Sequence, residues 1–262
     1  MIVNPRSGGE DTELLLAAAE ERGIETRVLG EGDDLAALAR ATETDVLGIA
    51  GGDGSLGAVA QACVERDLAF ACVPFGTRNH FARDVGLDRR DPAAALAAFD
   101  PGAEERRVDV GRVDGRVFLN NVSLGVYAGL VHEREERRRR REALARLKAL
   151  ARLATSPRRA AILLDGAPVE ARLVLVANNS YTRSGGLTLG ARERLDAGRL
   201  HLYVVAGAVW EERELERLTL DAPGSSVAAA VDGEPAQLGV PLELAIEPLA
   251  LRLRLPRGTT SA

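Results

Sequence analysis

A glycine-rich loop, Gly51-Gly52-Asp53-Gly54-Ser55, follows an apolar stretch at 46–50 and precedes apolar residues at helical spacing. Glycines let a ligand approach the backbone, and the start of a helix offers unpaired N–H groups at the positive end of its dipole. A phosphate suits those groups, whereas Asp53 repels it unless a cation lies between them. The loop therefore indicates a phosphate–metal site. On these residues alone the alternative is equally open: a glycine-rich turn in which Asp53 caps a helix.

A second polar segment, residues 74–84, follows the next apolar stretch. Gly76 and Thr77 make a strand-to-helix turn, in which we expect Thr77 to cap the helix. Asn79 and His80 would then stand in the first helical turn and face a ligand shared with the glycine-rich loop. The alternative is simple capping of a solvated helix.

A third polar turn, Asn4-Pro5-Arg6-Ser7-Gly8-Gly9, follows the first apolar stretch. The carboxyl ends of parallel strands lie along one edge of a sheet, which is where such sheets bind ligands. We therefore expect the three polar loops to converge on one site, and the convergence is stronger evidence than any single loop.

The elements that must position these loops alternate between strand and helix over about the first hundred residues. We expect strands at 1–3, 24–29, 46–50 and 69–74, and helices at 13–22, 35–41, 56–64 and 92–99. Strands separated by helices of this length predict a parallel sheet covered on both faces.

After residue 107 the pattern changes to short alternating segments that meet at Asp-Gly pairs, which are typical of tight hairpins. The pairs are Asp114-Gly115, Asp165-Gly166 and Asp232-Gly233. Further strands are expected at 173–177 and 200–205, and helices at 134–154 and 210–218. This half is predicted to be an antiparallel sheet or sandwich, with a domain boundary near Arg107.

The composition is that of a globular protein, with 262 residues, 46% hydrophobic residues and a net charge of -5. No apolar run approaches the roughly 18–20 residues that span a bilayer. The first residues lack the pattern of a signal peptide, so we expect a cytoplasmic location. Lys148 is the single lysine, which excludes a Walker-type phosphate loop because that loop needs a lysine after its last glycine.

One segment, residues 134–159, is strongly basic and is called the basic segment below. It holds eleven basic and three acidic residues, a local charge of +8 that leaves -13 for the rest of the chain. Leu144, Leu147, Leu150 and Ala151 form an apolar stripe at helical spacing. Such a helix can lie on an anionic membrane surface. The alternative is a solvated helix packed on the sandwich, and we expect no nucleic-acid partner.

Taken together, the motifs resemble those of the diacylglycerol kinase catalytic-domain family, which includes bacterial lipid kinases and sphingosine and ceramide kinases. Besides the three loops, the matching motifs are Val108-Asp109-Val110-Gly111, Asn120-Asn121-Val122-Ser123-Leu124-Gly125, Gly185-Gly186-Leu187 and Asp232-Gly233-Glu234. They occur in family order along nearly the whole chain. The resemblance implies an α/β plus β fold: an N-terminal parallel, three-layer α/β nucleotide-binding domain at 1–107 and an antiparallel β-sandwich acceptor domain at 108–247. A strand near 248–262 would return to the first domain.

The resemblance also implies ATP-dependent phosphorylation of a lipid hydroxyl, such as that of diacylglycerol, with Mg²⁺. The implied nucleotide-binding residues are Asn4, Ser7, Gly51, Gly52, Asp53, Gly54, Ser55, Gly76, Thr77, Asn79 and Glu234. The implied catalytic residues are Asp53, Asp232 and Glu234, the last two carrying the base function. Asp53 and Asp109 would join a water-mediated metal network, and Asp196 a structural metal site. Without the resemblance, Asp232-Gly233 would be one more hairpin turn.

Two positions depart from the family pattern. His80 stands where the family usually has aspartate, and Ala197 interrupts an acidic stretch, leaving Asp196 alone there. These departures keep two alternatives open: a kinase for a sphingoid base or another hydroxylated acceptor, and a nucleotide-binding protein without turnover. We expect a lipid substrate, allow for a homodimer, and place the protein at the inner face of the membrane if the basic segment attracts it there.

Overall fold

The computed structural model describes residues 1–8, 11–125, 160–182, 190–206 and 210–260. The basic segment, the helix expected at 134–154 and the Gly185-Gly186-Leu187 motif lie outside these residues. Among the helices that are described, none has both the length and the apolar character that crossing a membrane requires.

A parallel sheet flanked by helices forms the first part of the chain, as predicted. Its strands are β1 (Ile2–Val3), β2 (Arg27–Val28), β3 (Val46–Gly51) and β4 (Ala69–Pro74). The helices are α1 (Pro5–Gly8), α2 (Thr12–Glu21), α3 (Leu35–Ala41), α4 (Asp53–Arg66), α5 (His80–Asp84) and α6 (Pro92–Ala95), followed by a 3-10 turn at Leu96–Phe99. The strand order is β2-β1-β3-β4, all parallel. β3 and β4 are buried along almost their whole length, because layers of structure cover both faces.

The later part of the described chain is β-structure. Its strands are β5 (Glu104–Val113), β6 (Arg116–Phe118), β7 (Asn121–Gly125), β8 (Ala160–Leu164), β9 (Ala167–Ala171), β10 (Leu173–Asn178), β11 (Leu200–Val205), β12 (Trp210–Leu215), β13 (Arg217–Asp221), β14 (Ser226–Val231), β15 (Glu234–Gly239) and β16 (Leu242–Leu255). One antiparallel sheet has the order β12-β11-β10-β7-β14-β15. The other strands extend the parallel sheet, in the order β4-β16-β13-β8-β9, with β5 paired to β16 and β6 paired to β5. An apolar core lies between the two sheets, which makes the predicted sandwich.

All three Asp-Gly pairs form the predicted hairpin turns. They connect β5 to β6, β8 to β9 and β14 to β15. Both turn residues have positive φ in each pair, for example 50° at Asp232 and 84° at Gly233. Two-residue hairpin turns with this geometry match the twist of the strands they join.

The longest strand, β16, belongs to both parts of the structure. Its end pairs in parallel with β4 at Arg252–Arg254, while its start pairs with β13 at Leu242–Ala245. Leu253 lies in the core around the parallel sheet, and Leu244 lies in the core of the sandwich. The division into domains at residues 1–107 and 108–247 stays a prediction.

The helix predicted at 210–218 is wrong. The chain there forms β12 and the start of β13. The segment is rich in Glu, Arg and Leu, which favour helices intrinsically. Pairing with β11 outweighs that preference, because β12 is the edge strand and its charged side chains can remain in solvent.

Candidate active site

The three polar loops converge at the carboxyl ends of β1, β3 and β4. The Asn4 side-chain amide donates to Ser55 Oγ at 2.9 Å, which joins the first loop to the start of α4. Gly52 and Gly76 lie in contact, since a Cβ added at Gly76 would be 2.5 Å from Gly52 Cα. The glycines therefore allow two loops to meet at one place. Ser7 lies in the short helix α1, beside the same edge of the sheet.

The N-terminus of α4 is the natural anion-binding feature of this edge. The helix has 14 residues, begins at Asp53 and is preceded by Gly51 and Gly52. The first N–H groups of a helix have no intrahelical partner, and the dipole makes this end positive. With glycine at 52 and 54, a phosphate can approach the backbone closely.

Asp53 caps a helix, but not the one that it begins. Its carboxylate accepts the backbone N–H groups of His80 at 3.0 Å and Phe81 at 3.1 Å, the first two residues of α5. It also accepts the Asn120 side-chain amide at 3.2 Å. The side chain thus links α4 to α5 and to the segment before β7, and these donors offset its negative charge at the start of α4.

Asn79 is buried and shapes the loop before α5. It adopts the left-handed conformation with φ of 48°, and its side chain bonds both the N–H and the carbonyl of Gly76. Thr77 is exposed, and α5 is capped by Asp53, so the expectation that Thr77 caps this helix is wrong. Asn79 therefore acts on the loop that contacts Gly52.

The His80 ring lies partly buried at the start of α5. Burial lowers its pKa, while the charge of Asp53 opposes the shift and the guanidinium groups of Arg83 and Arg78 add to it. The ring is therefore neutral at pH 7. His80 therefore adds no positive charge beside the carboxylate of Asp53, which binds its backbone N–H.

The hairpin at Asp232–Glu234 packs against the first turns of α4. A Cβ added at Gly54 would lie 2.4 Å from Glu234 Cγ, and one added at Gly57 would lie 3.5 Å from Asp232 Oδ2. Two predicted catalytic carboxyl groups are thereby brought to the N-terminal end of the helix. They are separated from it by more than 150 residues of sequence and joined to it only by tertiary structure.

Asp232 occupies a cradle of backbone N–H groups. It accepts from Leu119 at 2.8 Å, Asn120 at 2.7 Å and Asn121 at 3.1 Å. Burial nevertheless raises the pKa of Asp232 to about 6; the nearby charge of Asp53 adds to the rise and the three hydrogen bonds oppose it. A carboxyl group with this pKa is ionised at pH 7 and close to the range in which it can exchange a proton.

Arg78 supplies a cation that the sequence analysis did not assign to the site. Its Nη1 lies 3.5 Å from the position of a Cβ on Gly233, so the guanidinium faces the hairpin at Asp232–Glu234. Within the described part of the chain it has no hydrogen-bond or ion-pair partner. The sequence signal for this residue was its position in the polar loop at 74–84. A kinase that has no phosphate-binding lysine needs another cation, and Arg78 is a cation in that loop.

Asp109 and Asp196 lie in other surroundings. The fully buried Asp109 accepts the Asn179 side-chain amide and the backbone N–H groups of Gly198 and Leu249, at 2.7 to 3.1 Å. It thereby holds an irregularity in β16, where Leu249 has φ of 52°. Asp196 is exposed and pairs with Arg194. Across the described ranges, no group of three or more His, Cys, Asp or Glu side chains could hold a metal ion. Metal binding by Asp109 and Asp196 stays a prediction.

Two further residues behind the site were also missed. Arg192 is fully buried and bonds Asp84 and Asn120, and Asn120 in turn bonds Asp53. No local pattern marks Arg192, which stands in a polar loop before β11. Asn120 lay within a motif of the family resemblance, and that was the only signal for it.

Comparison with known proteins matches the chain along almost its full length. The family model for the diacylglycerol kinase catalytic domain matches residues 1–113. A probable lipid kinase YegS-like protein of Pseudomonas aeruginosa is 32% identical, over 97% of this chain and 92% of its own. A diacylglycerol kinase of Mycobacterium tuberculosis is 28% identical, over 92% and 88%. A crystal structure of a diacylglycerol kinase from Bacillus anthracis covers 98% of this chain and 96% of its own, with a TM-score of 0.74 and 19% identity, which shows a common fold.

The family match and the full-length relative agree with the geometry of the site. A kinase needs groups that bind phosphate and a group that receives the proton of the acceptor, and the structure brings the start of α4 and the carboxyl groups of Asp232 and Glu234 together. ATP is the phosphate donor that the family implies. The chain is a kinase that transfers phosphate to an alcohol, and it belongs to the diacylglycerol kinase family of lipid kinases.

Proposed function

We propose that this protein transfers the γ-phosphoryl group of ATP to the hydroxyl of diacylglycerol, in a Mg²⁺-dependent reaction in which Asp232 is the general base. The observation that carries the proposal is the placement of Asp232, with its pKa of about 6, against the phosphate-binding end of α4. The names of the relatives support the acceptor, since several are diacylglycerol kinases.

The site fits the phosphates of ATP. Because Gly52 and Gly76 have no side chains, a phosphate can reach the backbone at the start of α4. A Cβ at Gly76 would obstruct this approach. The Arg78 guanidinium lies beside Gly233, in the hairpin that packs on this end of α4, and Asp53 is engaged with the N–H groups of α5. Asn4 and Ser55 hold the neighbouring loop by their mutual hydrogen bond. These groups would bind and orient the phosphates before transfer.

The site also fits Mg²⁺, provided that the ion arrives with the nucleotide. Protein sites for Mg²⁺ often supply one or two carboxylates while substrate phosphates and waters complete the octahedron. Glu234 lies beside the start of α4, and Asp53 would reach the ion through water because its oxygens already accept N–H groups. When bound, the ion would neutralise charge that develops on the phosphates.

In the proposed reaction, Asp232 accepts the proton of the acceptor hydroxyl as its oxygen forms a bond to the γ-phosphorus. The bond between that phosphorus and the bridging oxygen of ADP breaks, and ADP leaves with the electron pair. Arg78 and the N–H groups of α4 stabilise the negative charge on the phosphoryl oxygens. The products are phosphatidic acid, ADP and the protonated carboxyl group of Asp232.

An assay with several acceptors tests the proposal. The purified protein is supplied with ATP, Mg²⁺ and mixed micelles that contain diacylglycerol, monoacylglycerol, ceramide or sphingosine, and the products are identified by mass spectrometry. We expect phosphatidic acid as the main product and its loss when the metal is chelated. Preferential phosphorylation of ceramide or sphingosine would overturn diacylglycerol as the acceptor. ATP binding without turnover on any acceptor would overturn catalysis.

A further inference from the structure

Arg192 is the centre of a buried polar network behind the proposed base. Its side chain has no solvent exposure, and its guanidinium makes hydrogen bonds in three directions. Nε donates to Asp84 at 2.7 Å, Nη1 donates to the carbonyls of Leu119 at 2.6 Å and Asn178 at 2.9 Å, and Nη2 donates to Asn120 Oδ1 at 2.7 Å. A planar guanidinium suits such an arrangement because its donors are fixed in one fork.

The pair of Arg192 with Asp84 holds the network to α5. Both side chains are fully buried, and Asp84 also pairs with Arg83. Asp84 belongs to the same short helix whose first N–H groups bind Asp53. A shift of Arg192 would therefore move α5 relative to the carboxylate that caps it.

Arg192 also determines which way the Asn120 amide faces. A guanidinium can only donate, so the group that meets Nη2 must be the amide oxygen of Asn120. The amide nitrogen then faces Asp53 Oδ1, to which it donates at 3.2 Å. Arg192 and the carboxylate of Asp53 thus favour the same orientation of this amide, one from each side.

The same arginine supports the cradle of Asp232. Nη1 bonds the carbonyl of Leu119, and the N–H groups of Leu119, Asn120 and Asn121 bind the carboxylate of Asp232. Arg192 and Asp232 thus both form hydrogen bonds with the backbone at 119–121, Arg192 with a carbonyl and Asp232 with N–H groups. Displacement of this backbone would move the N–H groups that hold the Asp232 carboxylate in place.

We propose that Arg192 is a positioning residue for phosphoryl transfer, which acts through Asn120 on Asp53 and through the backbone at 119–121 on Asp232. It makes no described hydrogen bond to either carboxylate and so is not a catalytic residue. The inference rests on the proposed function of Asp232 as the base. It goes further by assigning the orientation of both carboxylates to one buried cation.

Arg192→Lys tests the proposal because it keeps the positive charge and removes the planar fork. We expect kcat to fall by about 10²-fold, as for other small misplacements of reacting groups, with a smaller change in the KM for ATP. This division between kcat and KM is the readout that a loss of stability alone would not produce.

Arg66→Lys is the matched control. Arg66 also binds backbone carbonyls through one guanidinium, but at the end of α3, away from the site. It should lose stability without a fall in kcat. A folded Arg192→Lys protein whose kcat and KM match those of the Arg66→Lys protein would overturn the proposal and leave Arg192 a purely structural residue.

Asn120→Leu provides a second route, should Arg192→Lys fail to fold. It removes the amide link while leaving the backbone cradle, so kcat should fall with little change in the KM for ATP; an unchanged kcat would overturn the link to Asp53. If Asp232→Asn leaves kcat unchanged, the proposed role of Asp232 fails. An unchanged kcat in Arg192→Lys alone refutes only the role of Arg192.

Discussion

At the scale of single residues, three turns of the same geometry differ in their chemistry because different parts of the structure pack against them. Asp114, Asp165 and Asp232 all precede glycine in a hairpin turn and have φ between 47° and 50°. The carboxylates of Asp114 and Asp165 accept one backbone N–H each, on the exposed surface. Asp232 lies against α4, and the burial that this distant helix provides raises the pKa of Asp232 to about 6.

Asp232→Asn should lower kcat by about 10² to 10⁴-fold, since it removes the proposed general base. In the wild type, kcat should rise with pH and level off above about 6, because the base must be ionised. Steady-state kinetics from pH 5 to 8 provides the measurement. Asp165→Asn is the control, as it changes the same residue in the same type of turn. Equal kinetic effects of the two substitutions would contradict the assignment.

The raised pKa of Asp232 also has a consequence for stability. Because its pKa in the folded protein lies above the ordinary value of 3.8, its contribution is most favourable below about pH 4 and is lost as the pH rises through 6. The shift corresponds to roughly 3 kcal/mol in the free energy of unfolding. Urea unfolding at pH 4 and 7 should show that the wild type loses this amount relative to Asp232→Asn. A pH-independent difference between the two proteins would be evidence against the shift.

At the scale of elements, the ends of helices organise the site more than their faces do. α5 has only five residues, begins after a left-handed Asn79 and obtains its cap from Asp53 in another helix. α4 begins in a loop that needs glycine where it touches Gly76. The nucleotide side of the site therefore depends on two helix starts held against each other.

Asp53→Ala should reduce both activity and stability. The N–H groups at the start of α5 would lose their acceptor, at a cost of about 1–3 kcal/mol. Asp34→Ala is the control, because Asp34 caps α3 by accepting two backbone N–H groups far from the site. It should cost about 1 kcal/mol and leave kcat unchanged. Urea unfolding and steady-state kinetics on both variants measure this, and a kinetic defect of equal size in Asp34→Ala would refute the assignment.

Gly76→Ala should raise the KM for ATP by about tenfold, since the new Cβ would push the loop away from Gly52 by a strain of about 1–3 kcal/mol. The Cβ would lie 2.5 Å from backbone, which cannot yield as a flexible side chain would. Gly102→Ala serves as the control because its Cβ would meet no atom within 4 Å. Nucleotide titration of the two proteins would show the difference, and equal affinities would count against a phosphate site at this contact.

At the scale of the whole molecule, β16 connects the parallel sheet with the sandwich. Its pairing with β4, β5 and β13 places one strand in both cores. The hairpin at Asp232–Glu234 and the start of α4 are therefore held together by more than their direct contact. Such continuity favours unfolding of the two cores as one unit.

Leu253→Ala and Leu244→Ala test this continuity, one in each core. Each side chain is essentially inaccessible to solvent, so each substitution should cost about 2–5 kcal/mol. Calorimetry should show a single transition in the wild type and in both variants, shifted to lower temperature, with equal calorimetric and van 't Hoff enthalpies. Two separate transitions in either variant would show that the cores unfold independently.

The sequence by itself determined the features that depend on near neighbours. Strand and helix alternation, the three hairpin turns and the glycine loops were predictable because spacing along the chain sets periodicity and turn geometry. The prediction of a helix at 210–218 was wrong because strand pairing outweighed the local preference of these residues for a helix. The candidate site was foreseen in outline, and its assignment to a kinase came from the resemblance.

Tertiary structure alone decided how the site residues act on one another. The contacts of Asp53 with Asn120, Arg192 with Asp84 and Asp232 with Asn120 span 67, 108 and 112 residues. The periodicity of apolar residues along the sequence carries no information about contacts between residues so far apart. Hydrogen bonding and desolvation depend on distance in space, so the cap provided by Asp53, the buried arginine and the raised pKa of Asp232 exist only once the chain has folded.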